Sequence, residues 1–296
     1  MAEPELIDNN QAIRDAAPGR KPELLCIGAQ KAGTSWLHET LRQHPDVWVA
    51  PFKELHFFDH KFIDECRKWA PWHVKRGVRN AREAHFSEQK FPDREYLDYL
   101  KQIETWPMFN GQWYKYVYSR APKTSICMDV TPEYSCLPDE GVEFVSKFLP
   151  RTKFVYIVRD PVARAVSQLK MNIARKKLEF VDLESWVAAV TDDPVLYSRG
   201  DYSAYVPRWE KAFTADRLLF VPYGDLSSNP LAVLKSVEEL ARLTPHTSYS
   251  ETSKRIHSSP DIHVPPEAVA IITARVARQR KFIKDHFGDD FELRCR

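Results

Sequence analysis

The stretch from Leu24 to Leu41 constrains the fold more than any other part of the chain. It begins with the apolar run Leu-Leu-Cys-Ile, which is typical of a short strand covered on both faces. Gly28 and Gly33 then allow a tight loop in which the backbone can approach a ligand closely. Thr34 and Ser35 open a helix whose first amide groups can bind an anion. The stretch therefore predicts a strand, an anion-binding loop and a helix in succession.

The lysine of this loop distinguishes it from the loop of nucleotide hydrolases. The spacing from Gly28 to Gly33 fits the pattern G-x-x-x-x-G-K-[ST], but Thr34 stands where that pattern requires lysine. The lysine lies inside the loop instead, as Lys31, where its charge can lie over a bound phosphate group. For the two glycines alone, the alternative interpretation is a strand-to-helix turn that binds no ligand.

A second candidate anion site follows the clearest predicted strand, Lys153–Val158. Arg159 ends this strand, and Asp160 and Pro161 are suited to be the N-cap and first residue of the next helix. Ser167 lies two turns into that helix, so a guanidinium and a hydroxyl can reach one anion. The alternative interpretation is a capped amphipathic helix with solvated arginines.

A short segment after the predicted strand Val47–Val49 carries Lys53, Glu54 and His56 among aromatic residues. The carboxyl ends of parallel strands form the ligand-binding edge of an open sheet, so we expect this segment near the loop. A carboxylate held among aromatic rings is expected to have a raised pKa. His56 and His60 have a spacing that can bind zinc on a helix, but no third ligand is evident and we expect no metal.

Composition limits the partners and the compartment. A formal net charge of +2 over 296 residues does not indicate nucleic acid or an anionic membrane as a partner. No run of about 18 apolar residues predicts a membrane span, and residues 1–10 lack the pattern of a secretory signal. The five cysteines show no C-x-x-C spacing, so reduced thiols and a cytoplasmic location are expected.

Together these segments resemble sulfotransferases that use 3′-phosphoadenosine 5′-phosphosulfate (PAPS). The string from Gln30 to Leu37, Gln-Lys-Ala-Gly-Thr-Ser-Trp-Leu, is similar to the family's 5′-phosphosulfate loop. Arg-Asp-Pro-x-x-Arg-x-x-Ser, at 159–167, matches its 3′-phosphate motif, and Lys53–Asp59 is similar to its Lys-Glu-x-His-Phe-Phe-Asp segment. The resemblance extends from about Leu24 to Phe287 and is closest to the heparan sulfate type and to bacterial sulfotransferase domains.

The resemblance implies roles for the individual residues. Glu54 is expected to be the general base, with His56 as the alternative base, and Lys31 is expected to stabilise the leaving phosphate. The residues expected to bind PAPS, or its product adenosine 3′,5′-bisphosphate, are Lys31, Ala32, Gly33, Thr34, Ser35, Trp36, Arg159, Ser167, Tyr202, Arg255 and His257. The residues expected to face the acceptor are Lys53, His56, Asp129 and Glu133.

Two segments depart from the family pattern. Asp129 and Val130 replace the glutamate and lysine of its Glu-Lys-[Ser/Thr]-Pro-x-Tyr motif. The loss of that cation argues against a highly sulfated polysaccharide as the acceptor. Arg255 and His257 keep the spacing of a Lys-Gly-Arg-Thr-His loop that covers the cofactor, but the glycine and threonine are replaced. How this loop contacts the cofactor is left open by the sequence.

Strands alternate with helices along the chain, so we predict one α/β domain, residues 21–296, after a flexible lead-in at residues 1–20. The domain is expected to be P-loop-like, with three layers and a mostly parallel sheet of about five strands. The strand candidates are 24–27, 47–49, 124–129, 153–158 and 217–222.

The predicted function is transfer of a sulfuryl group from PAPS to a hydroxyl or amine of a small molecule, lipid or glycan, without a metal. A magnesium-dependent phosphotransferase is one alternative, since Asp129 ends a strand as the acidic residue of nucleotide hydrolases does. A non-catalytic nucleotide-binding module is the other. The sequence predicts neither the acceptor nor the oligomeric state.

Overall fold

In the part of the chain that the structure describes, the strands form one parallel sheet flanked by helices. The computed structural model describes residues 19–180, 182–250, 252 and 261–296. The strands in this part of the chain are β1 Leu24–Gly28, β2 Val47–Val49, β3 Ile126–Val130, β4 Lys153–Val158 and β5 Leu218–Pro222. Their order across the sheet is β2-β3-β1-β4-β5, and every neighbouring pair is parallel. The prediction of an α/β fold with about five mostly parallel strands is confirmed.

The described helices connect and flank these strands. In chain order they are α1 Thr34–Leu41, α2 Phe57–Phe62, α3 Asp64–Glu88, α4 Arg94–Thr105, α5 Gly111–Tyr116, α6 Asp139–Phe148, α7 Pro161–Lys176, α8 Leu183–Thr191, α9 Val195–Ser198, α10 Tyr202–Ala212, α11 Asp225–Ser228, α12 Pro230–Ala241, α13 Pro266–Phe287 and α14 Asp289–Arg294. A 3₁₀ helix, Pro132–Cys136, follows β3. None of the described helices combines the length and apolar character needed to cross a bilayer.

The central strand β1 explains where the functional segments meet. Its five residues are buried, as its apolar run predicts, and it pairs with β3 on one side and β4 on the other. Because all strands run in the same direction, the segments that leave β1, β3 and β4 emerge at the same edge of the sheet. These segments are the predicted phosphosulfate loop, the turn at residues 131–135 and Arg159.

A separate apolar cluster fixes the helix that carries Ser167. It lies between α7, α8, α9 and the chain leading into α13, away from the main core around the sheet. Its buried members are Ala165, Leu169, Ile173, Val190, Leu196, Val264, Ala268 and Ile272. Helix α13 therefore holds α7 in place through this cluster.

The predicted lead-in falls mostly on residues 1–18, which lie outside the described residues. At its boundary, Arg20 is already attached to the domain. Its guanidinium donates to the Pro122 carbonyl oxygen at 2.8 Å and pairs with Glu23 at 2.7 Å. Lys21 donates to the Phe148 carbonyl oxygen at 2.8 Å.

Candidate active site

The loop between β1 and α1 has the tight geometry that its glycines predict. The amide of Ala32 donates to the Ala29 carbonyl oxygen at 3.1 Å, which closes the turn. Gly33 has a φ of 84°, and a Cβ atom there would lie 2.5 Å from a methyl carbon of Leu226. Conformation and space therefore both require glycine at this position.

The N-terminus of α1 has the features of an anion site. Among the described residues, no side chain accepts a hydrogen bond from the first turn of the helix, where Thr34, Ser35 and Trp36 lie. An uncapped helix start leaves amide groups for a ligand, and the helix dipole favours a negative one. Anion binding by these residues stays a prediction, and the uncapped helix start is the geometry that it requires.

Lys31 and Arg159 come together at this edge of the sheet, although 128 positions separate them in the sequence. Arg159 Nη1 donates to the Lys31 carbonyl oxygen at 2.6 Å, and its guanidinium lies 4.2 Å from the centre of the Tyr223 ring. Burial, and next the charge of Arg159, lower the pKa of Lys31. Two partly buried cations that repel each other form a favourable site for a polyanionic ligand.

The second motif has the capped helix start that its sequence predicts. Asp160 Oδ1 accepts a hydrogen bond from the Ala163 amide at 2.9 Å, and Pro161 is the first residue of α7. Ser167 lies on α7 and is buried. Tyr202 is also buried, and its hydroxyl accepts a hydrogen bond from the Arg159 amide at 3.1 Å. Tyr202 therefore positions Arg159 rather than presenting its own ring to solvent.

Lys53 connects the predicted base to the start of α1. Its Nζ donates to Glu54 Oε1 at 2.6 Å and to Thr34 Oγ1 at 3.3 Å. Glu54 and His56 have φ values of 69° and 53°, in the left-handed region that costs a non-glycine residue about 1–2 kcal/mol. Such strain is typical of functional segments, where the surrounding contacts hold an unfavourable backbone in place.

The prediction of a raised pKa for Glu54 is wrong. Burial does act to raise the pKa, but the charge of Lys53 and the contact with His56 outweigh it and lower the pKa of Glu54 well below its usual range. The sequence prediction took account of the aromatic residues around Glu54 but not of its two cationic neighbours, Lys53 and His56. Glu54 is consequently ionised at neutral pH.

His56 and Asp59 form a buried pair within the site. Its side chain is fully buried, with Nδ1 2.7 Å from Asp59 Oδ2 and Nε2 3.6 Å from Glu54 Oε2. Burial lowers the pKa of His56, but the surrounding carboxylates, Asp59 foremost, more than offset burial and raise it to about 10. At neutral pH His56 therefore carries a proton that Glu54 lacks.

Asp129 lies beneath the site, not at the expected acceptor-facing surface. It is 2% exposed, and Thr131 Oγ1 donates to its Oδ1 at 2.8 Å. The hydroxyls of Tyr114 and Tyr134 donate to Oδ2 at 2.8 and 3.0 Å. Both carboxylate oxygens are thus engaged inside the protein, which corrects the expectation that Asp129 faces the acceptor. The same contacts remove the main support for a magnesium site there.

The Asp129 network supports the strained segment around His56. Thr131 Oγ1 accepts a hydrogen bond from the Leu55 amide at 3.1 Å. Tyr134 Oη accepts one from the Phe57 amide, also at 3.1 Å. The two amides flank His56, so Asp129 acts as a positioning residue through Thr131 and Tyr134.

Glu133 contacts the loop between β1 and α1 from the buried side. Its side chain is buried, and Gln30 Nε2 donates to its Oε1 at 2.7 Å. Within the described part of the chain, Oε2 has no hydrogen-bond partner. Burial raises the pKa of Glu133, and the charges of His56 and Arg199 act in the opposite direction.

Arg255 and His257 lie outside the described residues. Thr252, which precedes them, is attached to α1, because Trp36 Nε1 donates to its carbonyl oxygen at 2.7 Å. The expectation that this segment lies near the cofactor stays a prediction.

His73 is a member of the cluster that sequence reasoning missed. The rings of His56 and His73 lie 4.8 Å apart at 88°, and Trp69, also on α3, lies 4.4 Å from His56. His60, the expected partner of His56, instead stacks on Phe109 at 3.7 Å. The structure does not pair His56 with His60; the side chains that lie near His56 are Glu54 and His73. No signal in the sequence could have indicated this, because the packing of α3 brings His73 there.

A parallel sheet with a lysine-bearing loop before a helix N-terminus defines a P-loop-like class of α/β domains. Within that class, the chain belongs to the sulfotransferase family, whose model matches residues 22–247. It is 26% identical over 227 residues to mouse heparan sulfate glucosamine 3-O-sulfotransferase 3B1, an alignment that covers 75% of this chain and 46% of that protein. The chain thus spans about half the length of the curated relatives it matches.

Solved structures confirm the fold. The sulfotransferase from Alicyclobacillus acidocaldarius is similar with a TM-score of 0.66 and 18% identity, covering 94% of this chain and all of that one. The sulfotransferase domain of the Synechococcus PCC 7002 olefin synthase has a TM-score of 0.53 and 14% identity, covering 88% of this chain and 96% of that domain.

Proposed function

We propose that the protein transfers a sulfuryl group from PAPS to an acceptor hydroxyl or amine, with Glu54 as the general base. The observation that carries this proposal is the contact of Lys53 with both Thr34 and Glu54. This contact brings an ionised carboxylate to the N-terminus of α1, where the family binds the group that is transferred.

The residues present fit a nucleotide with two charged positions. The first turn of α1 and Lys31 would hold the 5′-phosphosulfate, and Arg159 and Ser167 would hold the 3′-phosphate. The uncapped start of α1 and the mutual repulsion of Lys31 and Arg159 support this assignment. When bound, PAPS supplies the activated sulfuryl group and a phosphate leaving group.

The protonation states favour Glu54 over His56 as the base. A base must be unprotonated, and His56, with its pKa near 10, already carries a proton at neutral pH. The acceptor proton therefore goes to Glu54. His56 and Asp59 orient the Glu54 carboxylate from the buried side.

Lys53 links ligand binding to the basicity of Glu54. Its charge is a leading reason for the low pKa of Glu54. An anion at the start of α1 attracts Lys53 toward Thr34 and so weakens its hold on the carboxylate. We infer that Glu54 becomes a stronger base when the donor is bound.

For the acceptor, we propose a hydroxyl or amine on a glycan, lipid or small molecule. The mouse relative named above is a heparan sulfate glucosamine 3-O-sulfotransferase. Val130 is buried and apolar where the family motif has a lysine, which argues against a highly sulfated chain. We also propose a reducing, cytoplasmic setting, because all five cysteines are free thiols.

Calorimetric titration with adenosine 3′,5′-bisphosphate, and separately with ATP plus magnesium, tests the nucleotide assignment. We expect tight binding of the bisphosphate only. Preference for ATP with magnesium would instead support a phosphotransferase. Incubation with PAPS and pooled hydroxyl compounds, followed by a search for products heavier by SO₃, then tests catalysis. Bisphosphate binding without PAPS consumption would support a non-catalytic module.

A further inference from the structure

The cluster of Glu54, His56 and His73 has the composition of a metal site. Each side chain offers one ligand atom, and the three ligand atoms lie within 4.8 Å of one another. Two imidazoles and one carboxylate are a donor set that zinc uses in catalytic sites, where a fourth position stays open. We propose that these three residues bind a divalent cation of the zinc type.

The buried face of His56 points to a ligand. Its Nδ1 contacts Asp59 Oδ2 at 2.7 Å, the arrangement in which an outer carboxylate orients a metal-binding histidine. The other nitrogen, Nε2, is fully buried and has no hydrogen-bond partner among the described residues. This nitrogen faces Glu54 Oε2 across 3.6 Å. A metal ion binds Nε2 by displacing its proton to solvent, because a ligating histidine must be neutral.

The two oxygens of Glu54 have separate neighbours. Oε1 accepts from Lys53 at 2.6 Å, and Oε2 lies toward His56. A cation can therefore bind Oε2 without displacing Lys53 from Oε1. The Lys53 charge weakens the site, and the Asp59 charge behind His56 opposes that effect.

The three ligand atoms need to move only a short way toward one another to bind one ion. Ligand atoms about 2.0 Å from a tetrahedral zinc ion lie about 3.3 Å apart. The contact between His56 Nε2 and Glu54 Oε2 is already close to that value. His73 lies on the partly exposed side of α3, and its Nε2 is 3.2 Å from the Lys53 carbonyl oxygen. The His73 ligand atom lies within 4.8 Å of the other two, so His73 has to move toward them when the ion binds.

Metal binding would remove the general base. Once Oε2 coordinates a cation, Glu54 can no longer accept the acceptor proton, so the loaded protein is inactive until the metal leaves. The metal site rests on the side-chain geometry alone, whereas this inhibition rests on the proposed function.

Cobalt(II) titration followed by visible absorption tests the site in the complete chain. We expect a saturable spectrum at one equivalent for the wild type, displaced by zinc. His73→Gln should weaken binding by at least ~10-fold, the scale on which even an outer-shell partner matters. His60→Gln, which changes a neighbouring histidine outside the cluster, should bind as the wild type does. Equal binding by His73→Gln and wild type, or no saturable spectrum, would overturn the proposal.

Measurement of PAPS turnover distinguishes the metal site from the proposed inhibition of catalysis by the bound metal. Zinc should inhibit the wild type and His60→Gln, and a chelator should restore them, while His73→Gln should resist. Cobalt binding through His73 without any PAPS turnover would contradict the proposed function and leave the metal site standing. Full turnover by the zinc-loaded wild type would contradict the inhibition.

Discussion

Lys53 decides the chemical state of Glu54. The ammonium lies 2.6 Å from one carboxylate oxygen, and protonated His56 lies near the other. These two charges overcome the effect of burial, so Glu54 is an ionised group inside a half-enclosed site. At the scale of single residues, the proposed chemistry therefore depends on whether Lys53 contacts the Glu54 carboxylate or has moved toward a bound anion.

Replacement of Glu54 tests the proposed base directly. Glu54→Gln keeps the size of the side chain and removes its ability to take a proton. Turnover should fall at least ~100-fold, the scale of general acid–base catalysis, while the affinity for adenosine 3′,5′-bisphosphate stays the same. Steady-state rates and calorimetry measure the two effects. The control variant Glu143→Gln, on the exposed side of α6, should behave as the wild type. Unchanged turnover in Glu54→Gln would exclude Glu54 as the general base.

Removal of the Lys53 charge should shift the pH dependence. Because Lys53 lowers the pKa of Glu54, Lys53→Gln should raise it. The proposed mechanism requires unprotonated Glu54, so the acidic limb of the rate profile should move to higher pH. Measurement of kcat/KM from pH 4 to 9 checks this, with Lys61→Gln as the control. An unshifted acidic limb would show that Lys53 does not control Glu54.

At the scale of secondary structure, helix α3 is packed closely on the loop that carries Lys53 and Glu54. A Cβ atom at Gly77 would lie 2.5 Å from Cγ of the Phe52 ring. Because Gly77 has no side chain, α3 can lie close to the loop that carries Lys53 and Glu54. The same close packing places Trp69 and His73 against His56.

Gly77→Ala should destabilise the protein, against the usual preference for alanine in helices. Alanine gains up to about 1 kcal/mol of helix propensity, but overpacking costs about 1–3 kcal/mol. We expect a net loss in the free energy of unfolding, measured with urea. The loss should shrink in a Phe52→Leu background, which offers more space. A more stable Gly77→Ala protein would contradict this account.

At the scale of the whole molecule, the buried network around Asp129 couples stability to pH. Burial, only partly countered by its hydroxyl partners, raises the pKa of Asp129 to about 6. The folded chain therefore binds this proton more tightly than the unfolded chain does. The stability from this group is complete below pH about 4 and is lost as the pH rises through about 6.

Asp129→Asn should remove this dependence. The variant loses one hydroxyl contact, which costs about 1–3 kcal/mol. The difference in unfolding free energy between wild type and variant should be larger at pH 4 than at pH 7.5, because only the wild type is penalised at neutral pH. Denaturant unfolding at both pH values measures it. A difference that does not change with pH would mean that Asp129 does not titrate in this range.

Much of the fold could be predicted because it depends on local patterns. The apolar run of β1, the β-branched run of β4 and the Asp-Pro start of α7 each lie where the sequence places them. The loop could be predicted as well, since its glycine has a conformation and a close contact that only glycine allows.

The rest depends on contacts that no local pattern contains. The pKa of Glu54 depends on the side chains of Lys53 and His56, which a strained backbone turns toward it. Asp129 resembles a strand-end ligand residue, but the hydroxyls of Tyr114 and Tyr134 enclose it, and no local pattern shows that these rings turn toward it. His73 reaches the site only because α3 packs there.

The bridging lysine has a kinetic consequence. While the nucleotide is absent, Lys53 stays on Glu54 and keeps the carboxylate weakly basic. An acceptor that binds first therefore does not lose its proton to Glu54. Productive encounters would then follow a compulsory order, donor before acceptor. Product-inhibition patterns that show random addition would refute this order.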